Sequence, residues 1–465
     1  MRKFFLGSIL TSLAAGFLTL SCTHKAIKAH VDGEEVVVDQ SLDVKKKVLP
    51  NGLKILVVEN HRLPIISYYT FYNVGGRHEG PGTTGATHFL EHMMFKGAKK
   101  FGPGDFERLI ESNGGSSNAY TTFDSTVYYQ NAPSTLIETI VDLEADRMEN
   151  LLLEPASFER ERQVVKEERK MRYENSPGGQ LYLRTNREVY KGTPYGGSVI
   201  GDVVDLDSLN RDQVMDFFKK FYTPDNAIIV VVGDVEANKV FDLIESKMGN
   251  MKPSSEEVRE YKKQKDNKEL FMWGWSGQKE VKLKGESSNP LFILAFKAVP
   301  LGEDMAYAQD FLSNMLSSGD SSFLVQEFVK SKNPSMISIS SGNSNMRYSG
   351  MFTISGELMP KKSLAQVKKD LLMALKKSCN EIVTERNLQK ARNNLLASYY
   401  GSLQTNAGVA HFLGQQEYYF GDYNYYKTEL QKYLSINLEQ VKAACHEIAD
   451  SKDHIFVSVW DRHPN

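Results

Sequence analysis

Three cysteines in 465 residues are too few for a disulfide-built scaffold, so folding has to come from packed cores. Cys379 and Cys445 stand in helix-like surroundings, where cysteines are more often buried free thiols, and no structural disulfide is expected. An excess of one charge is also missing. The chain has 56 Lys and Arg against 58 Asp and Glu, a formal net charge of −2, which gives no footing for a nucleic-acid partner. Its densest basic runs, Lys45 to Lys47 and the stretch 256–268, stand beside acidic residues and read as solvated surface. With 41% hydrophobic and 25% charged residues, the chain is a soluble globular protein with room for two or three cored domains.

The uncharged run FFLGSILTSLAAGFLTL that follows Arg2 and Lys3 is too short and too rich in Ser, Thr and Gly to span a membrane comfortably. It reads as a secretory signal peptide, residues 1–22. Its ending, Leu18-Thr19-Leu20-Ser21-Cys22, resembles a bacterial lipobox, although Thr19 stands where Leu is usual. That implies a lipidated Cys22 and a membrane-anchored lipoprotein facing the periplasm or cell exterior; an ordinary cleaved signal is the alternative. Residues 23–43 are polar and read as a tether.

From Val48 the chain alternates strand and helix patterns without a regular strand-helix-strand rhythm, which points to an α+β fold. Strands are expected in VLPNGLKILVVEN, PIISYYTFYNVGGR, STVYYQNA and at 227–232. Helices are expected around 84–96, 103–113, 133–150 and 155–174 and after Ala237. Residues 248–269 have few apolar anchors and read as a linker. The pattern then recurs: NPLFILAFKAVP repeats the early strand, DFLSNMLSSG aligns with HFLEHMMFKG, and DHIFVSVWD mirrors DNAIIVVVGD. An internal duplication accounts for all three matches, giving two homologous domains, 44–247 and 270–465, each a mostly antiparallel sheet covered by helices. In the second copy the polar positions have become Asp310, Ser313 and Asn314, so only the first keeps the chemistry.

That chemistry sits in THFLEHMMFKG. His88 and His92 are four apart and share one face of a helix, and Glu91 projects to the same side. His-x-x-Glu-His is a known zinc-peptidase motif, the inverse of the thermolysin order. The bland alternative is a helix that buries Phe89, Leu90, Met93 and Met94 and turns its polar side to water. A catalytic zinc needs a third protein ligand with the fourth position left to water. The segment PASFERERQVVKEERKMRYEN offers one. If Phe158, Val164, Val165 and Met171 mark its apolar face, Glu161 and Glu168 lie near the middle of that face, where a cation would remove the cost of a buried carboxylate.

The pairing of His88-x-x-Glu91-His92 with Glu168, 76 residues beyond His92, resembles the pitrilysin or insulinase family of zinc metallopeptidases. NVGGR, NAYTTFDSTVYY, TPYGGSVIG and YTPDNAIIVVVGDV extend the likeness from about Val48 to the C-terminus, and chain length resembles the short mitochondrial-processing-peptidase-like bacterial branch. The resemblance implies one Zn2+ per chain on His88, His92 and Glu168, Glu91 as base, and Glu161 as a supporting carboxylate. It also implies a peptide substrate paired to an edge strand beside Asn118, Ala119 and Thr121. Plain sequence shows there only a Gly-rich loop and an alternating strand.

Relatives carry an Arg and a Tyr seven positions apart that reach the zinc from the second half; here Val329 and Met336 occupy those places. Either the alignment slips, or a homologous partner subunit brings the pair in a heterodimer. Two functional classes follow: a zinc endopeptidase acting on peptides or unfolded segments outside the cytoplasm, and a noncatalytic scaffold subunit. AHFLGQQE is a decoy of the motif, with Gly414 and Gln415 where Glu91 and His92 stand, and His411 is expected to be structural. His61 and His78 have no helical partner and no expected role.

Overall fold

The computed structural model describes residues 27–31, 34–38, 42–285 and 287–460, which divide into two units, one before Leu42 and one from Leu42 onward. In the first, β1 (Ile27–Val31) and β2 (Glu34–Val38) pair as an antiparallel hairpin, inside the stretch read as a tether. Cys22 and the signal-like run lie outside the described residues.

The second unit is built on two sheets. One contains β3 (Val44–Val48), β4 (Lys54–Glu59), β5 (Ile65–Tyr72), β6 (Ser116–Thr121), β7 (Thr126–Pro133) and β8 (Ala227–Gly233), in the order β3-β4-β8-β5-β7-β6. The other contains β9 (Gln278–Leu283), β10 (Leu291–Ala298), β11 (Met336–Asn345), β12 (Gly350–Leu358) and β13 (His454–Val459), in the order β11-β12-β10-β13-β9. Among the described residues, only β4/β8 and β13/β9 run parallel. The expected α+β architecture of two homologous, mostly antiparallel sheets covered by helices is therefore present. The duplication is visible as topology: β4-β8-β5-β7-β6 and β9-β13-β10-β12-β11 are one strand order written twice, with β3 added to the first.

Alternation in the strands serves two cores. Along β4, Ile55 and Val57 face the core that contains Phe89, Leu90 and Phe158, while Leu56 and Val58 face a second cluster. Asn51 and Gly52 enter the strand through a turn in which Gly52 takes φ 90° and the Asn51 carboxamide oxygen accepts from Leu53 N at 3.2 Å.

The second cluster is closed by a helix of the other half. Asn406–Phe420 lays Val409, Ala410 and Leu413 on β5 and β8, and in return Pro177–Val189 lays Leu181 and Val189 against residues of β10 and β13. Gly414 permits the close approach, since a Cβ there would lie 2.0 Å from the Phe71 ring. His411 belongs to this packing, with Nε2 2.7 Å from the Tyr120 hydroxyl, and is structural as expected.

Three readings need correction. Cys379 and Cys445 form a disulfide, Cα atoms 5.5 Å apart, joining the helices Leu364–Glu381 and Leu438–Ala449. Surroundings apolar enough for free thiols also bring two helices close enough for a bridge, and sequence does not separate the cases. The expected apolar face of 155–174 is half right: Phe158 and Val165 are buried, Val164 and Met171 exposed. Residues 248–269 contain a helix, Glu256–Lys265, capped by Ser255, because its capping and exposed charges support a helix that contributes little apolar surface.

The disulfide spans 66 residues. Replacing either cysteine with serine is expected to cost about 2–4 kcal/mol in urea denaturation; equal stability of the oxidised and reduced wild type would exclude that contribution. Among the described residues, no helix is long and apolar enough to cross a membrane.

Candidate metal centre

The motif occupies a short helix, Ala86–Met93, entered from Gly85 in the left-handed conformation. Gly85 has no capping side chain, and Glu79 supplies the cap from across the preceding loop: its carboxylate accepts from Gly85 N at 2.7 Å and Thr87 N at 2.8 Å. Phe89, Leu90 and Met93 are fully buried and fix the helix in the first core. The helix Pro155–Arg169 packs alongside, with the Phe89 and Phe158 rings 4.6 Å apart. Its buried residues are Ser157, Phe158, Glu161, Arg162, Val165 and Arg169. Two arginines belong there because their guanidinium groups bond backbone carbonyls, Arg162 to Leu209 at 2.7 Å and Arg169 to Gly201 at 2.8 Å.

This packing brings the expected residues together. His92 Nε2 lies 3.3 Å from Glu168 Oε2, and His88 Nε2 lies 3.7 Å from the same oxygen. The three donor atoms fall within 4.8 Å of one another. A tetrahedral zinc with bonds of ~2.0–2.1 Å needs ligand atoms roughly 3.3 Å apart, so the donor set and its spacing fit that ion. His92 Nδ1 is 2.9 Å from Glu161 Oε1, whose partner oxygen is 3.1 Å from Lys96 Nζ. Glu161 thereby selects the tautomer that leaves Nε2 free to bind a metal. His88 Nδ1 is buried without a partner.

The electrostatics agree. Burial, then the neighbouring His92, push His88 down to about 4, so its imidazole is neutral and able to ligate. Burial opposes charge on His92, yet hydrogen bonds with Glu161 and then Glu168 carry it up to about 9. The two carboxylates that favour a proton on this ring would equally favour a metal ion in that proton's place. The hydrogen bond from His92 holds Glu168 below the usual carboxylate range. Burial raises Glu91, against the opposing hydrogen bond from Thr121.

Glu91 takes no part in the donor triad; its carboxylate is met by the Thr121 hydroxyl at the end of β6. Thr121, expected beside a peptide, lies on this strand with its hydroxyl directed to the glutamate. Asn118 and Ala119 lie on β6, an edge strand of the sheet opposite β3, and the Asn118 side chain accepts from Ala119 N at 2.8 Å. Val329 packs against the core of the C-terminal half, which contains Phe292, Phe311 and Leu312, and Met336 is buried within it. Lys96 and Arg172 were not singled out in the sequence, although each stands four residues after a donor residue, the helical spacing of a neighbour. Arg172 Nη2 is 2.9 Å from Glu168 Oε1.

The chain matches two family descriptions in succession, Insulinase (Peptidase family M16) over residues 55–203 and Peptidase M16 inactive domain over residues 208–395. The first covers the motif helix and Glu168, the second most of the half that has lost the motif. Zinc protease PqqE of Helicobacter pylori is 30% identical over 364 residues, 78% of this chain and 80% of that protein. The mitochondrial-processing peptidase subunit beta of Dictyostelium discoideum is 24% identical over 443 residues, 90% of this chain and 92% of that one. A crystal structure of a protease from Helicobacter pylori superposes with a TM-score of 0.82 at 26% identity, covering 90% of this chain and 100% of that one. Shared sequence along most of the chain, a shared fold and two family domains in order place this chain in the insulinase family, peptidase family M16.

Proposed function

We propose that the chain is a zinc-dependent endopeptidase that cleaves peptides or unfolded segments outside the cytoplasm, together with a homologous partner subunit. One observation carries the reading: His88, His92 and Glu168 converge on a single point while Glu91 stands beside them outside the triad. Zinc held there would polarise a peptide carbonyl and acidify a water. The residues of the chain do the rest. Glu91 accepts the proton of the attacking water and passes it to the leaving nitrogen as the C–N bond breaks. Thr121 keeps that carboxylate oriented, and Glu161 steadies His92. The β6 edge supports an extended substrate, Asn118 and Ala119 lying alongside it by main-chain pairing.

Placement outside the cytoplasm is supported by the signal-like N-terminus with Cys22 as the site of a lipid anchor, and by the Cys379–Cys445 disulfide, which persists in oxidising compartments. A partner subunit is supported by Val329 and Met336. Both pack with the core of the C-terminal half, so that half offers no polar pair at the positions where the resemblance calls for Arg and Tyr. The relative from Dictyostelium is itself named as a subunit.

The test is digestion of a long unstructured peptide by the chain from Thr23 onward, loaded with zinc, alone and with its homologous partner. Cleavage that a chelator abolishes and added zinc restores is the expected result. Cleavage that survives complete removal of metal would overturn the reading.

A further inference from the structure

Arg172 sits on the π-helical turn Lys170–Glu174 that follows the Glu168 helix, and such turns gather at functional sites. Its side chain is 64% exposed, against 23% for the Glu168 side chain it contacts. Its charge bears on His88, Glu91 and Glu168 alike. The plain account is a surface ion pair at i,i+4, which contributes little. That account does not suit the position. A guanidinium on a ligand carboxylate competes with the metal for that carboxylate and repels the metal's charge.

The charge inventory gives the arrangement a purpose. Glu161 is paired with Lys96 and Glu168 with Arg172, so a divalent ion held by the triad would face only the charge of Glu91. The loaded site would carry net positive charge, and most of the guanidinium N–H donors would remain open to a second acceptor.

We propose that Arg172 is a catalytic residue that donates hydrogen bonds to the scissile carbonyl oxygen as that oxygen becomes an anion. As the water oxygen bonds to the carbonyl carbon, the C=O π pair moves onto this oxygen and the water proton goes to Glu91. When the C–N bond breaks, the pair returns to rebuild the carbonyl and the proton leaves with the amine. Arg172 carries the charge between those events. The proposal rests on the peptidase reading and assigns an oxyanion donor to this chain itself, beside any that a partner brings.

The test compares zinc-loaded wild type with Arg172→Ala and Arg172→Lys for binding a phosphinic pseudopeptide, whose tetrahedral anion imitates the hydrated carbonyl, by titration calorimetry. The matching amide peptide is titrated in a Glu91→Gln background, and bound zinc is counted in every variant. Arg172→Ala is expected to weaken phosphinate binding by about 10²-fold while amide binding shifts by less than about threefold and zinc stays at one per chain, with Arg172→Lys intermediate. Equal phosphinate binding by wild type and Arg172→Ala would overturn the role of Arg172 and leave the peptidase reading standing. Loss of zinc from Arg172→Ala would make the guanidinium structural and also overturn it. A zinc-loaded wild type that neither binds the phosphinate nor cleaves peptide, with or without its partner, would defeat the peptidase reading, and this proposal with it.

Discussion

Glu91→Gln is expected to keep its zinc and lose hydrolysis, kcat falling by about 10³-fold or more. The two outcomes separate because the residue stands next to the triad without joining it. The ligand atoms belong to His88, His92 and Glu168, so replacing one oxygen of Glu91 by an amide removes no donor. The contact with Thr121 survives as well, since the glutamine carbonyl can accept from the same hydroxyl that now meets Glu91. What disappears is the ability to take a proton. Burial, which raises Glu91 against the bond from Thr121, makes it a better base than an exposed carboxylate. The check is metal content by atomic absorption beside single-turnover cleavage, with Glu168→Gln as contrast, which should lose metal and activity together. Near wild-type cleavage by Glu91→Gln would remove it from the role of base.

The features that could be read from sequence were those with local spacing. His88 and His92 at i,i+4 come together on any helix, and the repeated strand phrases announced a duplication that the two sheets show as one strand order. Glu161 and Glu168 were found through the expectation of an apolar face, which the structure only partly bears out. Arg162 and Arg169 take places on the buried face where apolar residues were expected, held by carbonyls of Leu209 and Gly201 that lie more than thirty residues away. The bonds that legitimise those charges are long-range and leave no periodic trace. The same holds for the helix exchange between halves. Asn406–Phe420 and Pro177–Val189 have ordinary sequences, and which sheet each covers depends on the path of the chain. The Cys379–Cys445 bridge depends on two helices meeting across 66 residues, a distance that composition does not contain.

Arg77→Ala is expected to destabilise the protein by about 3–5 kcal/mol, the cost of leaving a buried charge without its partner. Arg77 ends the glycine-rich loop after β5 and is 1% exposed, Asp124 2%. The guanidinium is 3.0 Å from Asp124 Oδ1 and 2.7 Å from Asp266 Oδ1, and it lies over the Tyr348 ring at 5.2 Å. Asp124 is the hub. Tyr195 donates to Oδ1 at 2.7 Å, Arg347 N to Oδ2 at 3.2 Å, and the Tyr418 hydroxyl to its carbonyl at 2.5 Å. The cluster thus joins the β6–β7 hairpin, the helix before Asp266, and the second half of the chain. Urea denaturation of Arg77→Ala should show the loss, and adding Asp124→Asn should recover part of it, because the orphaned charge goes with the carboxylate. A cost below about 1 kcal/mol, or no recovery in the double variant, would show that the pair is not what holds the hairpin. Asp124 is three residues from Thr121, which contacts Glu91. Arg77→Ala should therefore also lower kcat while the zinc stays bound, linking the buried cluster to the base through the β6–β7 hairpin that carries Asp124 and Thr121.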